Sequence, residues 1–395
     1  RFSRIDDHPQ ITLMKIVQLT TDNREQHKDY DTLRPHFGAA PEALLEGFAQ
    51  LPGVEVHVVS CLRQNAPSPD RIFGNIHYHS RVVPKSGWMT TLYQGCIRAT
   101  RGIIREIAAD IVHGQGTERD CAMSAVHSGR PNVVTIHGNM AELNRLGITF
   151  QNARLYGILA SRLESHALAR TDGVFCNSAY TESLVAPRAK HTWRVPNAIR
   201  GSFFRESKSN FHTPDRPILV NVGHLGVRKR QLEILRMAAE MNREGQAFNL
   251  VFTGAFPTSD EYGRTFAAEL RQAEQVGFAS HAGFLNADAL IDLMDEASGF
   301  VHFPSEEAFG LVVAEAMARG LKFFGANLGG IKEIAAAIPG AELHDDFTGL
   351  KAGIVRWLKA GAPRVPDAAT IIRQRYSPEA VAARHVEIYR EVLGR

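Results

Sequence analysis

Two glutamates eight residues apart, Glu307 and Glu315, stand in the stretch Phe303-Pro304-Ser305-Glu306-Glu307-Ala308-Phe309-Gly310-Leu311-Val312-Val313-Ala314-Glu315-Ala316-Met317-Ala318-Arg319-Gly320. Apolar residues run up to Pro304 as in a strand, a short acidic turn follows, and a helix is expected from about Phe309-Gly310. Such a start leaves free backbone N–H groups pointing out of the carboxyl edge of a sheet, where they suit an anion such as a diphosphate. At about 1.5 Å of helix rise per residue the two carboxylates lie roughly 12 Å apart along the axis. That spacing fits a ligand with polar groups on both sides of a diphosphate, and a nucleotide sugar is one. Glu307 would accept hydrogen bonds from the sugar hydroxyls and Glu315 from the ribose. Taken alone, the spacing is more simply that of two solvated helix charges. His77 and His79 share one face of a strand, but two histidines without a third ligand read as a half-buried strand face, and no metal is assigned.

The elements that must hold these residues follow a βα rhythm. Short β-branched runs fall at 15–20, 54–60, 76–83, 110–113, 132–136 and 174–177, then at 217–223, 249–253, 299–303 and 322–325. Helical spacing of apolar residues marks 41–50, 89–108, 118–128 and 151–170 in the first half. In the second half it marks 229–243, 259–276, 286–297, 311–319 and 348–360, with a last helix over 378–393 opened by Ser377-Pro378. Gly, Ser, Asn and Pro cluster at 200–216 and read as a linker. The pattern implies an α/β protein with two parallel-sheet domains and a cleft between them.

At 395 residues the chain is too long for one ordinary core, and 44% hydrophobic residues are ample for two. Lys plus Arg number 45 against 42 Asp plus Glu, a net +3, too weak for a dedicated nucleic-acid binder. Cys61, Cys96, Cys121 and Cys176 lie far apart with no CxxC pair, which argues against a zinc knuckle or a disulfide framework and fits a cytoplasmic location. No apolar run approaches the ~20 residues that cross a bilayer. Met14 is the expected natural start, with residues 1–13 an extension. Gly114-Gln115-Gly116 lacks the third glycine of a dinucleotide fingerprint, and neither a P-loop, an HExxH helix nor a GxSxG elbow is present.

The Glu307 stretch resembles the E-x7-E signature of the retaining GT-B glycosyltransferases of family four, the group 1 glycosyl transferases, usually written EGFGL…EAMAxG. Val195-Pro196-Asn197-Ala198 with Phe203-Phe204 resembles the family's VPNGVD…F segment. Val222-Gly223-His224-Leu225-Gly226-Val227-Arg228-Lys229 resembles its VGRL…KG loop, and Asn327-Leu328-Gly329-Gly330-Ile331-Lys332-Glu333 its DVGGIPE loop. In the first half, Ala109-Asp110-Ile111-Val112-His113 and Val133-Val134-Thr135-Ile136-His137-Gly138 are similar to its DVVH…VVTxHD pair. The likeness runs from about Met14 to the C-terminus.

The resemblance implies two Rossmann-like domains, 14–205 on the acceptor side and 206–376 on the donor side, with helix 378–393 packing back on the first. It implies transfer of a hexose-type sugar from a UDP- or GDP-sugar with retention, no covalent intermediate, no metal and no cofactor. Arg228 and Lys229 would bear on the donor diphosphate, where fixed cations stabilise the leaving group. His224 stands where the family usually has arginine and, only partly charged near neutrality, is the weaker diphosphate ligand. His137 would face the donor sugar, Gly38 would let the backbone approach the phosphate, and Ala308, Phe309, Gly310, Leu311 and Glu315 would complete the donor site. Asp22 to Pro35 is the expected acceptor-shaping loop and the Phe284-Leu285 region the expected base-reading segment. The acceptor is a saccharide, glycolipid or small molecule. Arg98, Arg101 and Arg105 on one helix are a solvated face or a weak peripheral membrane contact. A non-catalytic nucleotide-sugar-binding subunit, an epimerase and a phosphorylase on the same fold are the alternative readings.

Overall fold

The protein is described by a computed structural model over residues 13–147, 154–207, 215–336 and 338–394. The first sheet holds β1 (Met14–Leu19), β2 (Val54–Leu62), β3 (Arg71–Phe73), β4 (Ile76–Val82), β5 (Ile111–Gln115), β6 (Asn132–Ile136), β7 (Gly173–Cys176) and β8 (Thr192–Arg194). Their order is β3-β4-β2-β1-β5-β6-β7-β8, parallel except for the β3–β4 pair. The second sheet holds β9 (Ile218–Val222), β10 (Asn249–Thr253), β11 (Ala279–His281), β12 (Gly299–His302), β13 (Lys322–Ala326) and β14 (Glu342–His344), ordered β11-β10-β9-β12-β13-β14 and all parallel. Central strands are apolar on both faces because helices cover both, as in β6, buried at every position. Each sheet thus carries a main core on either face, and the first adds a smaller cluster around Ile136, Val174 and Cys176.

The structure departs from the sequence reading mainly at edges. Strands β3, β8, β11 and β14 are three residues each, too short to show a pattern, and went unread. The helix expected over 89–108 is Gln94–Ile107, preceded by two single turns, because Leu92 and Tyr93 adopt left-handed backbone (φ 54° and 62°). The helix expected over 118–128 shrinks to Cys121–Val126. The 151–170 helix is described from Arg154, so its expected start lies outside the described residues. The segment from Asp22 to Pro35 is not simply a loop. Asp22 caps a short helix, Asn23–His27, and both Asp22 and Arg24 are fully buried as an ion pair at 2.7 Å. The expected linker also begins as structure, since Phe203 and Phe204 insert into the second domain's core; residues 208–214 lie outside the described residues.

Two late helices run across the domains. Ala368, Ile372 and Tyr376 of helix Ala368–Tyr376 join the second domain's core, whereas Val381, Ala382, Val386, Ile388 and Tyr389 of helix Pro378–Val392 join the first. The second helix lies so close to Ala39–Phe48 that a Cβ on Gly47 would sit 2.0 Å from the Pro378 carbonyl oxygen.

Candidate active site

Because all the central strands run the same way, the loops at their carboxyl ends collect on one side of each sheet. Between the two domains these loops enclose a cavity of about 510 Å³. Thr20 and Thr21 after β1, Gln115 at the end of β5 with Glu118 and Arg119 after it, and His137 after β6 line it from the first domain. Lys229 after β9 and Glu307 to Val312 after β12 line it from the second.

The turn carrying Glu307 is fixed on every side. The Gly330 N–H donates to the Glu307 carbonyl at 3.1 Å and the Ser178 hydroxyl to the Ala308 carbonyl at 2.6 Å. The chain then turns into helix Leu311–Ala318 through Gly310, whose φ of 97° is one that only glycine adopts cheaply. Gly310 offers no side-chain cap, so the N–H groups of the first turn, at Leu311 and Val312, lie at the cavity wall.

Glu307 accepts from the Lys229 ammonium and from His302 Nε2 at 3.2 Å, with Arg228 Nη1 at 3.9 Å. Burial pushes its carboxyl up, but the charges of Lys229 and Arg228 and the His302 bond outweigh it and hold Glu307 well below the usual carboxylate range. It is an anion at neutral pH. Burial, aided by Lys229, pushes His302 down to about 4, so its imidazole is neutral and its one N–H goes to Glu307. Arg228 is held by the Glu306 carbonyl at 2.8 Å and carboxylate at 3.2 Å.

On the opposite wall, a chain of buried donors fixes His137. Gln115 gives its amide N–H to Gln18 Oε1 (2.8 Å), so its own Oε1 accepts from His137 Nε2 (3.0 Å). Gln18 in turn donates to the Tyr389 hydroxyl (3.0 Å), which pairs with His113 Nδ1 (2.5 Å). His137 therefore carries its proton on Nε2 and keeps a lone pair on Nδ1, and burial pushes it down to about 4. Glu118 braces the same turn by accepting from the Gly138 N–H at 2.7 Å, and burial pushes its carboxyl up.

Of the residues singled out in the sequence, Gly38, His137, Lys229, Glu307, Ala308, Phe309, Gly310 and Leu311 line the cavity together. Arg228, Glu315, His224 and Phe284 do not. Arg228 sits behind Lys229, on Glu306. Glu315 is 3% exposed and paired with Arg200 at 3.4 Å, and burial pushes its carboxyl up. The His224 side chain is exposed and its carbonyl accepts from Gln231 at 3.1 Å. Phe284 is 80% exposed. Gln115, Glu118, Arg119 and His302 were not read from the sequence. In the sequence the Gly114-Gln115-Gly116 run reads only as an incomplete dinucleotide fingerprint, and the signal for these residues is the polar Gln-Gly-Thr-Glu-Arg stretch at the end of an apolar strand. Arg98, Arg101 and Arg105 are exposed on the outside of helix Gln94–Ile107, and no helix among the described residues is long and apolar enough to cross a membrane.

Two facing parallel sheets with a cleft at their carboxyl ends define the GT-B class of glycosyltransferase, and comparison with known proteins agrees. The Glycosyltransferase Family 4 model matches residues 42–200 and the Glycosyl transferases group 1 model residues 202–339. The chain belongs to glycosyltransferase family four. Sucrose-phosphate synthase from Thermosynechococcus elongatus shares the fold with a TM-score of 0.76 at 17% identity, over 96% of this chain and 99% of that one. Anabaena HepE in complex with UDP and glucose does so with a TM-score of 0.69 at 15% identity, over 96% and 100%. The GDP-mannose:cellobiosyl-diphosphopolyprenol alpha-mannosyltransferase of Komagataeibacter xylinus is 28% identical over 210 residues, 51% of either chain. The Arabidopsis thaliana sulfoquinovosyl transferase SQD2 is 31% identical over 121 residues, 31% of this chain and 21% of that protein. The matched region thus spans about half the length of one curated relative and a fifth of the other.

Proposed function

We propose that the protein transfers a hexose-type sugar from a nucleotide-sugar donor to an acceptor hydroxyl, with retention at the anomeric carbon and without a metal ion. The observation that carries this is the Lys229–Glu307 pair beside the first turn of helix Leu311–Ala318, facing His137 across the cavity. The donor diphosphate would lie at that helix start, where peptide N–H groups and Lys229 meet it. One Lys229 N–H goes to Glu307, leaving two for phosphate oxygens. Charge building on the leaving diphosphate is then met by cations already in place, with Arg228 adding its field from behind.

Glu307, held ionised, accepts sugar hydroxyls and orients the ring. His137 offers a neutral Nδ1 to a hydroxyl from the other side. Positioning and charge stabilisation supply the rate, and the donor's own phosphate oxygen takes the acceptor proton. Thr20, Thr21, Asn23 and Arg119, on the first-domain wall, form the acceptor side. HepE is described in complex with UDP and glucose and the mannosyltransferase is named for GDP-mannose, so a screen of donors for this chain includes both bases. The test is the anomeric configuration of the product by proton NMR, with EDTA present. A product with the donor's configuration at an undiminished rate supports the proposal, and an inverted product or loss of turnover in EDTA refutes it.

A further inference from the structure

At the opposite end of the first sheet from the cavity, the amino-terminal halves of β2 and β4 bring four ligand-type side chains together. Glu55 and His57 are two apart on β2, and His77 and His79 two apart on β4, so each pair shares a strand face. His57 and His77 are register partners, with rings stacked at 4.7 Å and only 13° between planes. One atom each of Glu55, His57 and His77 lies within 4.8 Å of the other two. His57 Nε2 is already 2.8 Å from Glu55 Oε1, and its Nδ1 is 3.0 Å from His79 Nε2. The His77 ring nitrogens have no hydrogen-bond partner among the described residues.

We propose that Glu55, His57 and His77 form a binding site for a borderline divalent cation, Zn2+ being the best fit, separate from the catalytic cavity. Two imidazole nitrogens and a carboxylate oxygen are donors that such ions take, with a water completing the tetrahedron. Bonds of about 2.0–2.1 Å require the His57–Glu55 contact to open slightly and the His77 ring, stacked parallel on His57, to turn its edge toward the ion. The ion replaces the proton between His57 Nε2 and Glu55. His57 Nδ1–H then donates to His79 Nε2, an outer partner that fixes the ring's tautomer. Lys15, 3.8 Å from Glu55, is the competing cation and must swing to solvent, which its 40% side-chain exposure permits. The bound ion clips β4, the strand next to the sheet's edge, to β2.

The test is uptake of Zn2+ and Co2+ by the EDTA-stripped full chain, in the wild type and in His77→Ala and Glu55→Gln. His77 and Glu55 are partly exposed, so these variants leave the core intact. The expected result is one tight ion per chain, at least tenfold weaker binding in each variant, and a rise in Tm with Zn2+ seen only in the wild type. The Co2+ spectrum should lack the near-ultraviolet thiolate band that ligation at Cys61 and Cys96, the other ligand-type cluster among the described residues, would give. No stoichiometric uptake by the wild type, a thiolate band, or unchanged binding in His77→Ala overturns the proposal. Failure of the transferase assay leaves this result untouched, because the readout is metal occupancy.

Discussion

Glu307 puts its carboxylate on the cavity wall while Glu315, eight residues on, keeps its own buried against Arg200. Its spacing to Glu315 marked both as ligand groups, but only the structure separates their surroundings. Glu307 faces the cavity with Lys229 and His302 on its carboxylate. Glu315, one helical turn beyond the wall residues Leu311 and Val312, is sealed behind them on Arg200. Nothing in a spacing of eight tells a lining residue from a buried one, because the outcome depends on an arginine 115 positions away. Replacing Glu307 by Gln keeps the shape and removes the charge that Lys229 and His302 share. Steady-state kinetics should show turnover reduced by about 10²–10³-fold while the folded far-ultraviolet CD spectrum is kept. A variant with wild-type turnover would remove Glu307 from the reaction.

At the scale of elements, the long apolar strands and amphipathic helices were legible because burial writes its period into them. Helices 259–276 and 348–360 were placed within two residues of Glu261–Val276 and Phe347–Lys359. Short pieces were not, since three residues such as Thr192–Arg194 carry no period. Nor were turns held by distant contacts, such as that at Leu92-Tyr93, whose Tyr93 ring is buried under helix Gln94–Ile107. The turn that presents Glu307 depends on one such contact. A Cβ on Gly330 would lie 2.4 Å from both the Ala308 carbonyl oxygen and the Phe309 Cα, and those atoms are backbone with no room to give. Gly330→Ala should therefore push the Glu307–Gly310 turn out of place, lowering Tm by several degrees and activity with it, for a strain of about 1–3 kcal/mol. Gly102→Ala, in open space within helix Gln94–Ile107, is the control and should be neutral or slightly stabilising. Equal behaviour of the two variants would contradict this account of the turn.

The whole molecule is tied together by the chain's last helix. Through Tyr389 it touches Gln18 and His113, and through them the Gln115–His137 pair at the cavity, so the last helix supports the cavity wall. No pattern in residues 378–393 points to that docking, because an apolar face does not name its partner. His385, in this helix, stacks on Phe175 at 4.4 Å and donates from Nδ1 to the Val381 carbonyl at 2.8 Å. Burial pushes it down to about 4. Between the ordinary histidine value near 6.5 and 4, the unfolded chain binds a proton here and the folded chain does not. Its contribution to stability is thus complete above pH 6.5 and is lost as the pH falls to 4. His385→Phe should be less stable than the wild type by about 1 kcal/mol at pH 7.5, for the lost hydrogen bond. That gap should close or reverse by pH 5 in thermal melts, and a gap independent of pH would contradict the assignment. The central claim concerns the cleft as a whole, that its two walls close on a nucleotide sugar through Lys229 and the helix start beside Glu307. The most direct measurement is calorimetric titration of the full chain and of Lys229→Ala with UDP, GDP, ADP and their sugar conjugates, with and without EDTA. The account predicts that one nucleotide series binds the wild type equally well in EDTA and at least tenfold more weakly to Lys229→Ala. Binding of none of them, or equal binding by the two proteins, would contradict it.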